Sequence, residues 1–211
     1  MLFRSYRSEY ATPDKFVVTL TRQFKFFNAK NSATTISSQL IAQTGQPYSY
    51  VFKGDASGSG LSGEQLFYVP TGPNDPKVTW GSAAEQTAFF QFLANTPDLA
   101  KYAGSIVPRN SSYAPWQHFV NLHVEQQVPS IGNSRLVLFA DCFDFGNMLN
   151  KQWGTVTNFS NSYFTRTVAG TFLNAATNQY IYTFNPATLG TTSTYSDMSR
   201  WTAQIGARFE F

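Results

Sequence analysis

The chain has 211 residues, of which 17% are Phe, Trp or Tyr and only 13% are charged, with a formal net charge of +3. A charged fraction so far below the roughly one quarter of ordinary soluble domains argues against a typical cytosolic enzyme, and the small, scattered positive charge argues against nucleic acid as a partner. Mean hydropathy is −0.25 and no apolar run approaches the roughly 20 residues of a membrane helix, so only strands, whose membrane signal is alternation, are candidates to cross a bilayer.

The opening Met-Leu-Phe-Arg-Ser-Tyr lacks the apolar core and cleavage site of a signal peptide. That leaves two readings, a cytoplasmic chain or the tail of a precursor whose signal lies upstream. Residues 2–13 read as irregular. From 15 to 27 Phe16, Val18, Leu20, Phe24 and Phe26 fall on one side and Lys15, Thr19, Thr21, Gln23 and Lys25 on the other, with Arg22 interrupting the apolar row. A polar turn at 28–31 leads to a weaker strand over 32–43, with Ile36, Leu40 and Ala42 against Thr35, Ser37, Gln39 and Gln43, so the two form a hairpin.

Alternation is then lost for some seventy residues. Tyr48, Tyr50 and Phe52 suggest a strand beyond the bend at Gly45, and 54–60 is a flexible loop. Ser82-Ala-Ala-Glu85 is a capping box that opens a helix through about Asn95, and Thr96-Pro-Asp98 starts a second helical turn ending near Gly104. A connection of this length with its own helices points to function.

The pattern resumes over 116–128, where Trp116, His118, Val120, Leu122, Val124 and Val128 oppose Gln117, Asn121, His123, Glu125 and Gln127. After a turn at 129–133, Leu136, Leu138, Ala140 and Cys142 oppose Arg135 and Asp141 in a strand over 134–145. Residues 146–199 are rich in Asn, Thr and Tyr, with possible short strands at 162–167 and 179–184. The chain closes on Arg200-Trp-Thr-Ala-Gln-Ile-Gly-Ala-Arg-Phe-Glu-Phe211, with Trp201, Ala203, Ile205, Ala207, Phe209 and Phe211 on one face and Arg200, Thr202, Gln204, Arg208 and Glu210 on the other. Alone, that segment suits a lipid-facing barrel strand or an amphipathic edge strand of a soluble β-protein equally.

Two tight connections thus alternate with two long ones, about 44–115 and 146–199. Outer-membrane barrels have this asymmetry, with short periplasmic turns and long extracellular loops. If the last strand ends at the periplasmic side, both tight turns fall on that side and both long loops outside. In such a wall the polar residues His123, Glu125, Arg135, Asp141 and Arg208 face the lumen.

Three stretches carry a resemblance: Arg109-Asn-Ser-Ser-Tyr-Ala-Pro-Trp116 before an alternating strand, Cys142-Phe-Asp-Phe-Gly-Asn-Met-Leu-Asn-Lys-Gln-Trp-Gly154, and the closing 200–211. With Gly45-Gln-Pro-Tyr-Ser-Tyr50, Gly54-Asp55 and Leu66-Phe-Tyr-Val-Pro70 they resemble the C-terminal end of TonB-dependent receptors of the Oar-like, OmpA-related group, over nearly the whole chain from about Asp14. The resemblance implies an all-β fold, an antiparallel transmembrane β-barrel segment of about five long strands, an incomplete barrel, with long extracellular loops carrying a short helix. It implies that residues 1–211 are the C-terminal part of such a receptor in the outer membrane of a Gram-negative bacterium, with the plug domain absent. It makes Trp201, Phe209 and Phe211 the strand signal read by the barrel-assembly machinery. The implied partners are outer-membrane lipid, the rest of the barrel and plug, and TonB acting through that plug.

Two departures qualify the likeness. The loop after Gly54 keeps one carboxylate, Asp55, and Leu66 stands where a twelve-residue calcium loop needs a bidentate acid, so calcium is not expected. The TonB box, the plug and most of the barrel are missing, and five strands cannot close where about eight are needed.

Catalytic chemistry finds little support. His118 and His123 are five apart and point to opposite faces of one strand, Asp141 and Asp144 likewise, and the lone Cys142 offers neither a disulfide nor a cysteine metal site. No Gly-x-Ser-x-Gly, phosphate loop or zinc spacing occurs, so no catalytic, cofactor-binding or metal residue is assigned. The expected function is transport of a substrate across the outer membrane. The alternatives are a free-standing small barrel acting as adhesin or enzyme, and a soluble aromatic-rich β-module that binds carbohydrate.

Overall fold

The computed structural model describes residues 6–25, 32–56, 58, 60, 63–128, 134–159, 165–174 and 176–210. In chain order the strands are β1 (Lys15–Lys25), β2 (Ala33–Gln43), β3 (Pro47–Lys53), β4 (Val78–Trp80), β5 (Ser112–Tyr113), β6 (Gln117–Val128), β7 (Arg135–Phe143), β8 (Thr157–Phe159), β9 (Thr165–Asn174), β10 (Gln179–Thr183), β11 (Thr192–Thr194) and β12 (Thr202–Glu210). The helices are α1 (Ala83–Ala94), α2 (Pro97–Ala100) and α3 (Phe145–Leu149). Strand accounts for 48% and helix for 15%, so the all-β character expected from the alternation holds. The sheets are antiparallel or mixed and do not close into a barrel.

The chain divides into two units, each assembled from separated stretches of sequence. The first, here the meander unit, comprises Thr12–Gly45, Pro115–Thr157 and Thr194–Phe211. Its five strands lie in the order β1-β2-β6-β7-β12, every pair antiparallel. These are the five strands the alternation predicts. Val18 stands opposite Leu40, Leu40 opposite Val120, Leu122 opposite Cys142 and Cys142 opposite Ala203. Directly opposed residues share a face, so the apolar rows of all five strands merge into one surface. The turns expected at 28–31 and 129–133 lie outside the described residues, as do Phe26 and Phe211.

The end of β7 differs from the sequence reading for a definite reason. The strand expected to run through Phe145 ends at Phe143, because Asp144 takes the left-handed conformation (φ 53°, ψ 47°) and α3 starts at Phe145. Extended backbone cannot pass through that region.

The second, mixed-sheet unit comprises Met1–Ala11, Gln46–Ala114 and Asn158–Ser193. Its sheet has the order β4-β10-β9-β3-β5, with β3/β9 and β4/β10 parallel. The strands suggested inside the two long connections, around Tyr48 to Phe52, at 162–167 and at 179–184, are present as β3, β9 and β10, with β9 running later, over Thr165–Asn174, and they join one sheet: Ser49 of β3 stands opposite Thr165 of β9. Their joining into one sheet has no signal in the alternation, for a physical reason. β3 is buried continuously from Pro47 to Phe52, on both faces, and a strand covered on both sides has no polar row to alternate with.

The core of this unit is aromatic. Phe89 of α1 lies 5.1 Å from Trp80, 5.4 Å from Phe184 and 6.0 Å from Phe67, ring centre to ring centre, and is fully buried. The predicted capping box is present: the Glu85 amide donates to Ser82 Oγ at 3.2 Å and fixes the start of α1. Asp75, also buried, accepts from Thr71 and Lys77 amides and from the hydroxyls of Tyr68 and Thr71. Burial pushes its carboxyl up, but those four hydrogen bonds together outweigh it and hold the group below the usual carboxylate range. Burial, then the bond to Asp75, pushes the Tyr68 phenol up to about 12.

Candidate functional site

The two faces of the five-stranded sheet divide the chemistry of the meander unit. One carries Phe16, Val18 and Leu20 of β1, Ile36 and Leu40 of β2, Val120, Leu122 and Val124 of β6, Leu138 and Ala140 of β7, and Ala203, Ile205, Ala207 and Phe209 of β12. Large side chains here are exposed: Leu20 by 69%, Phe209 by 57% and Ile205 by 87%. Arg22, which breaks the row in sequence, lays its guanidinium 5.7 Å from the centre of the Phe24 ring, so its charge is held against an aromatic face.

Residue type on this face is zoned along the strands. Phe16, Trp116 and Trp201 mark the end where β1, β6 and β12 begin, and Phe16 stacks on Trp116 at 6.1 Å. Phe24 and Phe209 stand at the other end. Between them the face is mostly aliphatic, interrupted by Arg22, Ser38 and Cys142, with Thr34 and Gln126 beside Phe24. From Phe16 to Phe24, and from Trp201 to Phe209, the span is roughly 27 Å at about 3.4 Å per residue. An apolar surface of roughly 20 by 27 Å on five strands is at the upper end of what soluble monomers expose, and such patches mark interaction surfaces. Trp201 and Phe209, the described members of the expected terminal signal, both stand on this face.

The opposite face gathers all five residues expected to line a lumen. His123 and Asp141 stand directly across the β6–β7 pair, with His123 Nδ1 2.6 Å from Asp141 Oδ1. Gln204, across β7–β12, donates from Nε2 to Asp141 Oδ2 at 2.9 Å. One register step away Glu125 lies 3.6 Å from Arg208 and 3.9 Å from Arg135, and Glu210 lies 2.9 Å from Arg208 and 3.8 Å from Arg135. Two arginines and two glutamates thus form a closed ring of opposite charges over β6, β7 and β12. Further across the sheet the polar contacts continue through Gln43–Gln117 at 3.0 Å and Thr21–Ser37 at 3.0 Å. The paired polar groups suit water, although the same face also carries Val17, Ile41, Phe119, Val137 and Phe143, and Arg135 Nε is buried without a hydrogen-bond partner among the described residues.

The His123–Asp141 pair raises the question of catalysis, since a carboxylate on Nδ1 is how a general base is oriented. Ser37 stands across β2–β6 from His123. However, its hydroxyl pairs with Thr21, and His123 Nε2 faces Glu125 at 3.8 Å. The arrangement holds a histidine in place and gives it no nucleophile to activate. His118, on the other face, packs 6.5 Å from Trp116 instead. Among the described residues no three His, Cys, Asp or Glu side chains gather as a metal site requires. Asp55 is spent on the Gly60 amide and on Gln65 Nε2.

Two relationships escaped the sequence reading. Asp144 is buried with neither carboxylate oxygen hydrogen-bonded, pressed against Gly154, where φ is +64° and a Cβ would collide with it. Burial raises its carboxyl above the usual range, and a weaker pull from the Asn147 amide acts the other way. Gly206 on the polar face receives the ring of Phe139, its cross-strand neighbour. Neither pairing has a signal in spacing, because each joins residues brought together by the turn or register.

Comparison with protein-family models, curated proteins and solved structures finds no match.

Proposed function

We propose that this chain is a wall segment of a TonB-dependent outer-membrane receptor and works in substrate transport. The observation that carries the reading is the exposed face of the meander sheet, aromatic at both ends and mainly aliphatic between them over a height close to the roughly 25 Å apolar band of a bacterial barrel, and backed by a face that carries charged residues. The resemblance of the three sequence stretches to that receptor group supports it further. In this reading acyl chains cover Leu20, Leu40, Leu138 and Ile205, and aromatic residues at both ends sit at headgroup depth. The rings of Arg208, Glu125, Arg135 and Glu210 and the His123–Asp141–Gln204 chain line part of a polar lumen. Among the described residues β1 pairs with β2 alone and β12 with β7 alone, which fits both outer strands for pairing with the rest of a larger barrel. Energy for transport would reach the barrel through TonB and a plug, and assembly would depend on the closing strand.

The test is lipid contact residue by residue. In a Cys142→Ser background, Ile205→Cys and Gln204→Cys are labelled with a fluorophore and the full chain is reconstituted in vesicles of brominated phospholipid. Quenching at 205 and not at 204 is the expected result. A chain that stays monomeric in water without detergent, with neither position quenched, overturns the reading.

A further inference from the structure

A concavity in the mixed-sheet unit has the chemistry of an anion receptor. It encloses about 290 Å³ and is lined by Tyr6, Arg7, Lys101, Tyr102, Arg109 and Asn110, among others. Three cations therefore converge on one small space. Among the described residues none of them has a carboxylate within ion-pair distance, in contrast to Arg135 and Arg208, each of which has two.

The walls are fixed before any ligand arrives. Asn110, buried and held at φ 54°, is the clasp. Its amide donates to Ser49 Oγ at 2.9 Å, Ser49 Oγ donates to its Oδ1 at 3.2 Å, and its Nδ2 donates to the Arg7 carbonyl at 2.7 Å. The Arg7 guanidinium is hydrogen-bonded to the Tyr113 hydroxyl and lies 5.5 Å from the centre of that ring. Lys101 Nζ stands 5.1 Å from the centre of the Tyr102 ring. Cations laid over aromatic faces keep their charge while losing rotamer freedom, which lowers the cost of organising them around an anion. Like charges gathered in a concavity repel one another and concentrate a positive field there, and a bound polyanion relieves both. Two arginine forks give planar, two-point recognition of phosphate or carboxylate oxygens, which a lysine point charge then tops up.

We infer that this cavity binds a small polyanion, a phosphate ester or a molecule with two or more carboxylates, using Arg7, Lys101 and Arg109, with Tyr6 and Tyr102 against its body. A second cavity of about 300 Å³ shares Tyr6 and Arg109 and adds Glu64, Ser49 and Thr165. It gives a larger ligand room to extend away from its anionic end toward a group that donates to Glu64. The inference does not depend on whether the meander sheet meets lipid.

Isothermal titration calorimetry on the full chain in neutral maltoside micelles tests it, with pyrophosphate and citrate as probes, glucose as the uncharged control and short-chain phosphatidic acid as the lipid arm. Pyrophosphate and citrate should bind, glucose should not, and Lys101→Gln with Arg109→Gln should weaken both anions by about tenfold or more. Arg7 is left in place because Tyr113 and Asn110 tie it to the fold. Should the double variant misfold, the unmodified chain decides: raising salt from about 0.05 M to about 0.5 M should weaken binding several-fold. Anion affinity unchanged by the double substitution, or unmoved by salt, overturns the inference, and so does binding of phosphatidic acid alone, which would assign the cavity to a lipid headgroup.

Discussion

His123 and Asp141 face each other across β6 and β7 with 2.6 Å between Nδ1 and Oδ1, and Gln204 closes on the same carboxylate from the other side. Asp141 is the member on which the other two depend. Asp141→Ala should therefore destabilise the meander sheet by about 0.5–1.5 kcal/mol, since it removes two hydrogen bonds whose other partners, His123 and Gln204, can turn to water. Asp141→Asn, which keeps an acceptor oxygen, should lose less. Thermal unfolding in detergent, followed by far-UV circular dichroism, separates the two variants.

Gly206 and Phe139 make a second cross-strand unit on that face. A Cβ at 206 would strike the Phe139 ring, so Gly206→Ala should cost about 1–2 kcal/mol as an overpacked contact. Shrinking the ring removes the conflict. In Phe139→Ala background the same glycine substitution should be neutral, and a double-mutant cycle would read the coupling directly.

In the mixed-sheet unit Phe89 is the side chain on which most rings converge. Phe89→Ala should destabilise this unit by about 3–5 kcal/mol. Near-ultraviolet circular dichroism, which reports packed aromatic rings, should lose intensity on heating at a lower temperature than in the unmodified chain.

Asp144 predicts a pH dependence of definite sign. Its carboxyl is raised by burial, so the folded chain holds that proton to higher pH than the unfolded chain does, whose value is about 4. This contribution to stability is greatest below the unfolded value, and declines as pH rises through the folded one. Asp144→Asn should flatten that decline and leave the protein more stable than the unmodified chain at neutral pH. Gly154→Ala should destabilise at every pH, because it fails on sterics and on a positive φ. Denaturant midpoints measured between about pH 3 and pH 8 would show both.

The five strands of the meander sheet were readable in sequence because each presents one face as a unit, and a period of two survives even where Arg22 interrupts it. All five polar residues assigned to one face meet there for the same reason: face is a matter of parity, and the register leaves parity intact. The start of α1 was readable from Ser82 and Glu85, a local pair. What escaped was everything decided at long range. β3, suggested by Tyr48, Tyr50 and Phe52, gives no sign of its partner, because it is covered on both sides and its parallel neighbour β9 arrives from far along the chain. Arg7, Lys101 and Arg109 share a cavity only because Asn110 reaches back to the Arg7 carbonyl, a contact with no sequence period at all.

The parallel pairing of Ser49 with Thr165 has a consequence for the time course of folding. The antiparallel pairs β1–β2 and β6–β7 join strands that lie close together in sequence and can form within microseconds, whereas β3 must wait for β9, far later in the chain. During synthesis the N-terminal half of the mixed sheet emerges with its tyrosines uncovered and stays so until β9 and β10 follow it out. The interval between those two events is the period of greatest exposure to aggregation, and slowing translation between residues 114 and 165 should lengthen it.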